Sequence, residues 1–287
     1  MSQLKTVDGD YVRQAALGAR LLVSGNLGTA VQNRRRMREG SVRVLHRRPM
    51  PTFWSEWSPR RINALAKGLR ATRYLEIGIQ FGYTVENVHV RERVGVDPEP
   101  RFDVARLPRG LSFFTGGSDA YFASLAGEVT FDLAFLDGLH TFGQTKTDLF
   151  NSLSHVPNGV ILIDDTVPSD AIAALPSLEE SLDCRRSVGS DALVWMGDVW
   201  KLVAYIDRCL PQLDFRTIVG SGNPQTLVWH LRPGDVISEP EGDDQVAIAS
   251  LSYEEFFRNG VPDQFRPCTE AEALRACLAA VTPARTR

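Results

Sequence analysis

Cysteine and long apolar runs are scarce in this sequence. Its four cysteines, Cys184, Cys209, Cys268 and Cys277, stand far apart and form no C-x-x-C pair. This spacing indicates neither a disulfide framework nor a zinc site, and it is typical of free thiols in a reducing compartment. No apolar run approaches the length of a membrane span, and the N-terminus lacks the apolar core of a signal peptide. We therefore expect a cytoplasmic protein without membrane contact.

An excess of charge of either sign is also absent. The 287 residues include 32 arginines and lysines and 35 acidic residues, which leaves a formal net charge of −3. Such a balance indicates no general affinity for nucleic acid or for an anionic membrane. With 43% hydrophobic residues, the chain is long and apolar enough to form one sizeable core.

A glycine turn follows the first predicted strand of the central region. The strand ends at Ile77, and Gly78 and Gly82 flank the turn that leads into a predicted helix; the next apolar run ends in Asp97. A strand, a glycine turn, a helix and a second strand ending in an acid form the nucleotide-binding half of a doubly wound α/β sheet. The third glycine of the G-x-G-x-x-G fingerprint is missing, which argues against a nicotinamide dinucleotide.

The acidic residues around this turn indicate a different cofactor. Glu76 would repel a pyrophosphate but suits a cationic amino-acid group, and Asp97 can accept hydrogen bonds from both hydroxyls of a ribose. S-adenosylmethionine carries both groups. Ser118 or Asp119, after the third predicted strand, could bind its adenine amino group or form a solvent-exposed turn instead. The predicted cofactor-binding residues are Glu76, Gly78, Gln80, Gly82, Thr84, Asp97, Ser118, Asp119 and Asp137. An ordinary strand–turn–helix connection is the alternative.

Acidic residues also follow the next two predicted strands. Asp137 and His140 follow the fourth strand, and Asp164 and Asp165 follow the fifth. Ligands collect at the carboxyl ends of strands in open α/β sheets, so these side chains should converge. Three close carboxylates repel one another unless a cation or a proton lies among them, and oxygen ligands suit Mg²⁺. We predict a Mg²⁺ site with His140 as the base beside it. A helix cap with a surface acid, and a structural histidine, are the alternatives.

Three segments of the chain resemble class I S-adenosylmethionine-dependent methyltransferases. They read LEIGIQFG at 75–82, FDLAFLDGLHT at 131–141 and GVILIDDT at 159–166. The pattern is similar to the metal-dependent branch that includes macrocin-type and mycinamicin-type sugar O-methyltransferases and the cephalosporin hydroxylase-like proteins. The resemblance implies that Asp137, Asp164 and Asp165 hold Mg²⁺ or a similar divalent cation. It also implies that His140 serves as general base, with Asp137 as a second catalytic residue.

The resemblance implies an α/β fold with a Rossmann-like methyltransferase sheet, mostly parallel with an antiparallel last strand. We expect an N-terminal helical and basic segment (1–57), a cofactor-binding catalytic domain (58–233) and a C-terminal helical appendage (234–287). The expected activity is O-methylation of a hydroxyl on a sugar, a glycosylated metabolite or a polysaccharide precursor. The alternatives are a catechol-like phenol as acceptor, and a non-catalytic accessory protein that binds the cofactor.

The N-terminal segment carries seven arginines between residues 34 and 48, with Glu39 as the only acid among them. Charge runs of this kind are usually solvated arms or contacts of an oligomer, here a homo-oligomer. A lid that binds an anionic or polyhydroxylated substrate is the other interpretation. This segment lies outside the methyltransferase resemblance, so we expect it to influence the choice of acceptor.

Overall fold

The computed structural model of the protein describes residues 57–104, 107–192, 194–240 and 242–281. The basic run between residues 34 and 48 lies outside the described residues, so its predicted role as a lid or an oligomer contact stays a prediction. Within the described ranges, no helix is long and apolar enough to cross a membrane.

The fold is built around one mixed sheet of eight strands in the order β3-β2-β1-β4-β5-β7-β6-β8. The strands are β1 (Arg73–Ile77), β2 (Glu92–Asp97), β3 (Leu111–Thr115), β4 (Leu133–Leu136), β5 (Val160–Ile163), β6 (Leu213–Ile218), β7 (Gln225–His230) and β8 (Pro267–Cys268). Strands β1 to β5 pair in parallel, whereas β7 runs antiparallel to both β5 and β6. The predicted Rossmann-like methyltransferase sheet is confirmed. The short strand β8, parallel to β6, was not predicted.

Helices cover both faces of the sheet. Those of the described residues are α1 (Trp57–Leu69), α2 (Tyr83–Asn87), α3 (Ser118–Ser124), α4 (Phe142–His155), α5 (Leu178–Ser187), α6 (Trp200–Cys209), α7 (Asp244–Ala249), α8 (Tyr253–Phe256) and α9 (Glu270–Val281), with a 3₁₀ turn at Asp263–Phe265. Side chains of a strand alternate between the faces. Ala134 and Leu136 of β4 therefore pack with α4 and α6, while Leu133 and Phe135 pack with α1 and α9.

The sheet direction decides where functional residues can meet. The carboxyl ends of the five parallel strands lie along one edge of the sheet, and the antiparallel strand β7 begins at that same edge. Burial of every residue of β4 and β5 explains why both strands read as continuous apolar runs. The polar residues directly after them are therefore brought together at this edge.

Side-chain caps begin both of the helices α8 and α9. The Ser252 hydroxyl accepts a hydrogen bond from the Glu255 amide at the start of α8. At the start of α9, the Glu272 carboxylate accepts from the Thr269 amide, and the Thr269 hydroxyl accepts from the Glu272 amide. Helix α9 packs against α1 and against strands β6 and β7. The C-terminal segment is therefore joined to the sheet both by this helix and by β8.

Candidate active site

The turn after β1 requires glycine at its first position. Gly78 has a φ of 83°, and a Cβ built on it would lie 2.0 Å from the carbonyl oxygen of Asp137. Gly82 and Gln80 also have positive φ values, of 75° and 36°. Only glycine can adopt the φ of Gly78 this close to the backbone of Asp137. The predicted cofactor turn therefore lies directly against the backbone that carries Asp137.

Asp97, at the end of β2, braces this turn. Its Oδ2 accepts a hydrogen bond from the Gln80 amide at 2.8 Å, and its Oδ1 accepts one from the Glu99 amide at 2.7 Å. Each carboxylate oxygen can accept more than one hydrogen bond, so capacity for a ligand hydroxyl remains. The predicted contact with a ribose stays a prediction, and the carboxylate is held in place for it.

Glu76 lies inside the fold, with an exposed fraction of only 2%. The Tyr74 hydroxyl donates a hydrogen bond to its Oε2 at 2.6 Å, and the backbone amide of Val85 in α2 donates another. Burial raises the pKa of Glu76 well above its usual value, and the charges of Asp137 and Asp164 add to this increase. Glu76 thus links β1 to the helix that follows the glycine turn, and its predicted cofactor contact stays a prediction.

Ser118 and Asp119 open the short helix α3, where Gln144 of α4 reaches them. The Gln144 amide donates to Ser118 Oγ at 3.3 Å, to Asp119 Oδ1 at 3.1 Å and to Asp148 Oδ1 at 3.2 Å. Sequence reasoning missed Gln144, because Asp119 and Ser118 lie 25 and 26 residues away along the chain. Thr84, also predicted to bind the cofactor, lies half-buried in α2.

The four predicted catalytic and metal-binding residues do converge. The His140 ring lies between two carboxylates: Nε2 is 3.2 Å from Asp137 Oδ1, and Nδ1 is 2.9 Å from Asp165 Oδ2. The contact between His140 Nδ1 and Asp165 Oδ2 is a close charge contact and not a well-directed hydrogen bond. Asp165 has a φ of 56°, in the left-handed region that few residues other than glycine adopt. Such backbone strain is often found at functional sites.

Two amide side chains complete the cluster: Asn223, in the loop before β7, and Gln225, the first residue of β7. Asn223 Nδ2 donates to Asp164 Oδ1 at 2.5 Å and to Asp165 Oδ1 at 2.8 Å. Gln225 Nε2 donates to the same Asp164 oxygen at 2.9 Å. Sequence reasoning did not identify either residue. The available signal was their place at the start of an antiparallel strand, which puts them at the edge where the parallel strands end.

The acids of this cluster lie close to one another in a largely buried site, and this changes their pKa values. Burial raises the pKa of Asp137 and raises that of Asp164 well above its usual value, and the neighbouring carboxylates contribute to both increases. Burial by itself would lower the pKa of His140, but the charges of Asp165 and Asp137 raise it well above its usual value. The charge of a protonated ring would balance part of the carboxylate charge.

The carboxylates do not surround a common point. Across the described ranges, no group of three or more His, Cys, Asp or Glu side chains is arranged so that it could hold a metal ion. The acid oxygens point instead to His140, Asn223 and Gln225. The residues predicted to bind Mg²⁺ are thus close together, but their oxygen atoms are not arranged around a position for the ion.

The segment before α6 packs over His140. The Trp195 ring stacks on the imidazole with centroids 5.3 Å apart and an angle of 20° between the planes. Gly197 has a φ of 66°, and a Cβ there would lie 1.6 Å from the His140 carbonyl oxygen, so glycine is required. The Asp198 carboxylate accepts a hydrogen bond from the Phe142 amide at the start of α4. This segment fixes the loop that carries the histidine.

The sheet order, the glycine turn and the acids at the strand ends define a protein with the Rossmann-like methyltransferase fold. Residues 65–166 match the family model described as a methyltransferase domain. The chain is therefore similar to methyltransferases over residues 65–166, and this match supports the prediction that the protein is an enzyme of this class. None of the curated proteins matches the sequence.

Several solved structures are similar to part of this chain. The O-methyltransferase TomG from Streptomyces achromogenes, in complex with SAM, is 16% identical with a TM-score of 0.46, over 68% of this chain and 89% of its own. The O-methyltransferase from Bacillus cereus with SAH is 16% identical with a TM-score of 0.44, over 67% and 89%. The SAH-bound methyltransferase from Podospora anserina is 19% identical with a TM-score of 0.43, over 68% and 86%. At these similarities none of them assigns an activity or an acceptor to this chain.

Proposed function

We propose that the protein transfers the methyl group of S-adenosylmethionine to a hydroxyl of a sugar, a glycosylated metabolite or a polysaccharide precursor. Mg²⁺ would assist, held by Asp137, Asp164 and Asp165. One observation carries the proposal: the glycine turn lies against the backbone of Asp137, whose side chain contacts His140. A cofactor on that turn would present its methyl group to the acid–histidine cluster.

The reaction requires a hydroxyl that loses its proton as it attacks. A new O–CH₃ bond forms while the S–CH₃ bond of the cofactor breaks, and S-adenosylhomocysteine leaves. His140, which lies beside Asp137 and Asp165, is the base that we propose takes the proton. A protonated histidine cannot do so, and these two carboxylates favour its protonated form. Balancing their charge would therefore release His140 to act as a base.

The donor set fits a hard divalent cation. Three carboxylates at neighbouring strand ends, two of them with raised pKa values, supply the oxygen atoms that Mg²⁺ prefers. When bound, Mg²⁺ would lower the pKa of an acceptor hydroxyl and balance the carboxylate charge. Asp164 Oδ1 and Asp165 Oδ1 already accept hydrogen bonds from Asn223, so a bound cation would use their Oδ2 atoms, and at Asp165 it would replace the contact with His140.

A catechol-like phenol is a second candidate acceptor. Trp195 stacks on His140, and Leu139, the residue before the histidine, is 58% exposed. An aromatic and an aliphatic side chain beside the base would suit a planar ring as well as the apolar face of a sugar. The two acceptors share the arrangement of neighbouring hydroxyls.

Methyl-transfer assays on two panels, glycosides with vicinal hydroxyls and catechols, would test the proposal. Transfer to the glycosides that EDTA abolishes and Mg²⁺ restores would support it. A clear preference for catechols would move the activity to the second candidate. Calorimetric binding of S-adenosylmethionine without transfer to either panel would indicate an accessory protein and overturn the proposal.

A further inference from the structure

A fully buried arginine lies behind the acid pair. Arg61 of α1 is 0% exposed, and its Nη1 donates to the side-chain oxygen of Gln225 at 2.7 Å. Its Nε donates to Glu270 Oε2 at 2.9 Å. Glu270 is the first residue of the C-terminal helix α9. A continuous path of hydrogen bonds therefore runs from α9 through Arg61 and Gln225 to the carboxylate of Asp164.

The chemistry of arginine decides how Gln225 is oriented. A guanidinium group has only donors, so the atom of Gln225 that faces Arg61 must be the amide oxygen. The amide nitrogen then has to face the other way, toward Asp164 Oδ1 and Ser58 Oγ. The orientation of a glutamine amide is ordinarily ambiguous, but here the buried cation leaves only one choice. Arg61 thus ensures that Asp164 meets a donor and not an acceptor.

Arg61 also holds the loop that carries Asn223. Its Nη1 donates to the backbone oxygen of Asn223 at 2.7 Å, and its Nη2 donates to the backbone oxygen of Ser221. The Asn223 amide nitrogen has two hydrogens, and it contacts one oxygen of Asp164 and one of Asp165. One side chain therefore ties the two neighbouring acids together, and Arg61 fixes where that side chain starts.

We propose that Asn223 and Gln225 are positioning residues for Asp164 and Asp165, and that Arg61 and Glu270 hold them in this role. The inference rests on the proposed function, because it gives the acid pair a cation to bind. Two amide donors occupy Asp164 Oδ1, so Oδ2 is the atom that would face a metal in the proposed site. The C-terminal helix then belongs to the support of the active site and is not only an appendage.

The test measures metal affinity directly and does not depend on turnover. Mn²⁺ prefers the same oxygen ligands as Mg²⁺ and can be followed by electron paramagnetic resonance. In Gln225→Met, which keeps the length of the side chain but has no amide donor, the Mn²⁺ Kd should rise by about 10–100-fold. The affinity for S-adenosylmethionine should stay within about twofold, a change of about 0.4 kcal/mol, because the predicted cofactor residues do not contact Gln225.

Thr217→Val is the matched control. Thr217 is buried in β6 of the same hairpin, and its hydroxyl meets Thr226 and none of the acids. This variant should lose a buried hydrogen bond and keep the Mn²⁺ affinity of the wild type. Glu270→Gln is the remote variant, which should weaken Mn²⁺ binding less than Gln225→Met does, because Arg61 loses only its formal counter-ion. It also keeps the test decisive should Gln225→Met fail to fold.

The outcomes separate the two proposals. Wild-type Mn²⁺ affinity in both Gln225→Met and Glu270→Gln would overturn the inference and leave the proposed function standing. An equal loss in Thr217→Val would also overturn it, since general loosening of the hairpin would then explain the effect. A wild-type protein that binds no Mn²⁺ with S-adenosylmethionine present would overturn the metal in the proposed function, and this inference with it.

Discussion

The two halves of the sheet edge are constructed in different ways. On the cofactor half, after β1 and β2, the Gln80 amide and the Asp97 carboxylate that hold the turn are 17 residues apart. On the acceptor half, after β4 and β5, Asn223 and Asp164 meet across 59 residues. The first half is a local motif and the second is an assembly of distant segments. Substitutions in the cofactor half should therefore leave metal binding intact, and substitutions in the acceptor half should leave cofactor binding intact.

The largest expected effect is on the acceptor half. In Asp137→Ala, two acids and His140 remain, and a cation would be poorly held. Loss of an outer-shell partner typically costs about 10–100-fold, so loss of a ligand should cost more and reduce turnover to the detection limit. Calorimetry should still show binding of S-adenosylmethionine, with at most the loss of the Asp137 contact, because the glycine turn and Asp97 remain. Glu128→Gln, which alters an exposed acid away from the site, is the control. Substantial turnover in Asp137→Ala would refute its role in the metal site.

A second effect should separate the base from the metal. In His140→Ala, turnover should fall by about 10²–10⁴-fold, the usual contribution of a positioned base. Mn²⁺ affinity should remain, because the three carboxylates are intact, and turnover should partly recover at high pH as the acceptor hydroxyl ionises unaided. Rates over a pH series would measure this. Full activity in His140→Ala, with EDTA still inhibiting, would assign the proton to solvent instead.

Local patterns predicted the sheet and half of the site. The continuous apolar runs ending at Leu136 and Ile163 identify buried parallel strands, and the acids after them follow from the rule that ligands collect at strand ends. The glycine turn can be predicted from the sequence, because glycine is needed where two backbone segments approach closely, as Gly78 and Asp137 do. These features depend on neighbours within a few residues, which a sequence displays directly.

The rest of the site depends on contacts that a single sequence does not display. Nothing in the sequence distinguishes Arg61 from the other residues of its helix. Only the folded chain shows that it is buried against Gln225, 164 residues away. Trp195 likewise gave no sign that it stacks on His140. Glu270, at the start of α9, likewise shows its contact with Arg61 only in the folded chain. Long-range pairs of this kind are fixed by packing and not by local pattern.

A smaller effect is expected on the cofactor half. Asp97→Ala removes a carboxylate that can accept hydrogen bonds from a ribose, and it also leaves the Gln80 amide without this partner. Binding of S-adenosylmethionine should weaken by about 1.5–3 kcal/mol, the contribution of a hydrogen bond to a charged group. Mn²⁺ affinity should be unchanged. Unaltered cofactor affinity, together with binding of NAD to the wild type, would contradict the cofactor assignment.

The smallest effect concerns the end of β7 opposite to Gln225, where His230 is buried. Within the described residues, neither of its ring nitrogens has a hydrogen-bond partner, and burial lowers its pKa although Asp235 acts in the opposite direction. The unfolded chain therefore binds more protons than the folded one once the pH drops below the unfolded value of about 6.5. His230 destabilises the fold progressively below that pH, by at most about 1.4 kcal/mol per pH unit, until the folded pKa is reached.

In His230→Phe, which fills the site without a titrating group, the free energy of unfolding should decrease less between about pH 7.5 and pH 5.5 than in the wild type. Urea unfolding at both pH values would measure the difference. The affinities for Mn²⁺ and for S-adenosylmethionine at neutral pH should be the same in both proteins, because His230 contacts neither half of the site edge. An identical pH dependence of stability in the variant would show that His230 gains its proton in the folded state as readily as in the unfolded one. A change in either affinity would show that the opposite end of β7 is coupled to the site.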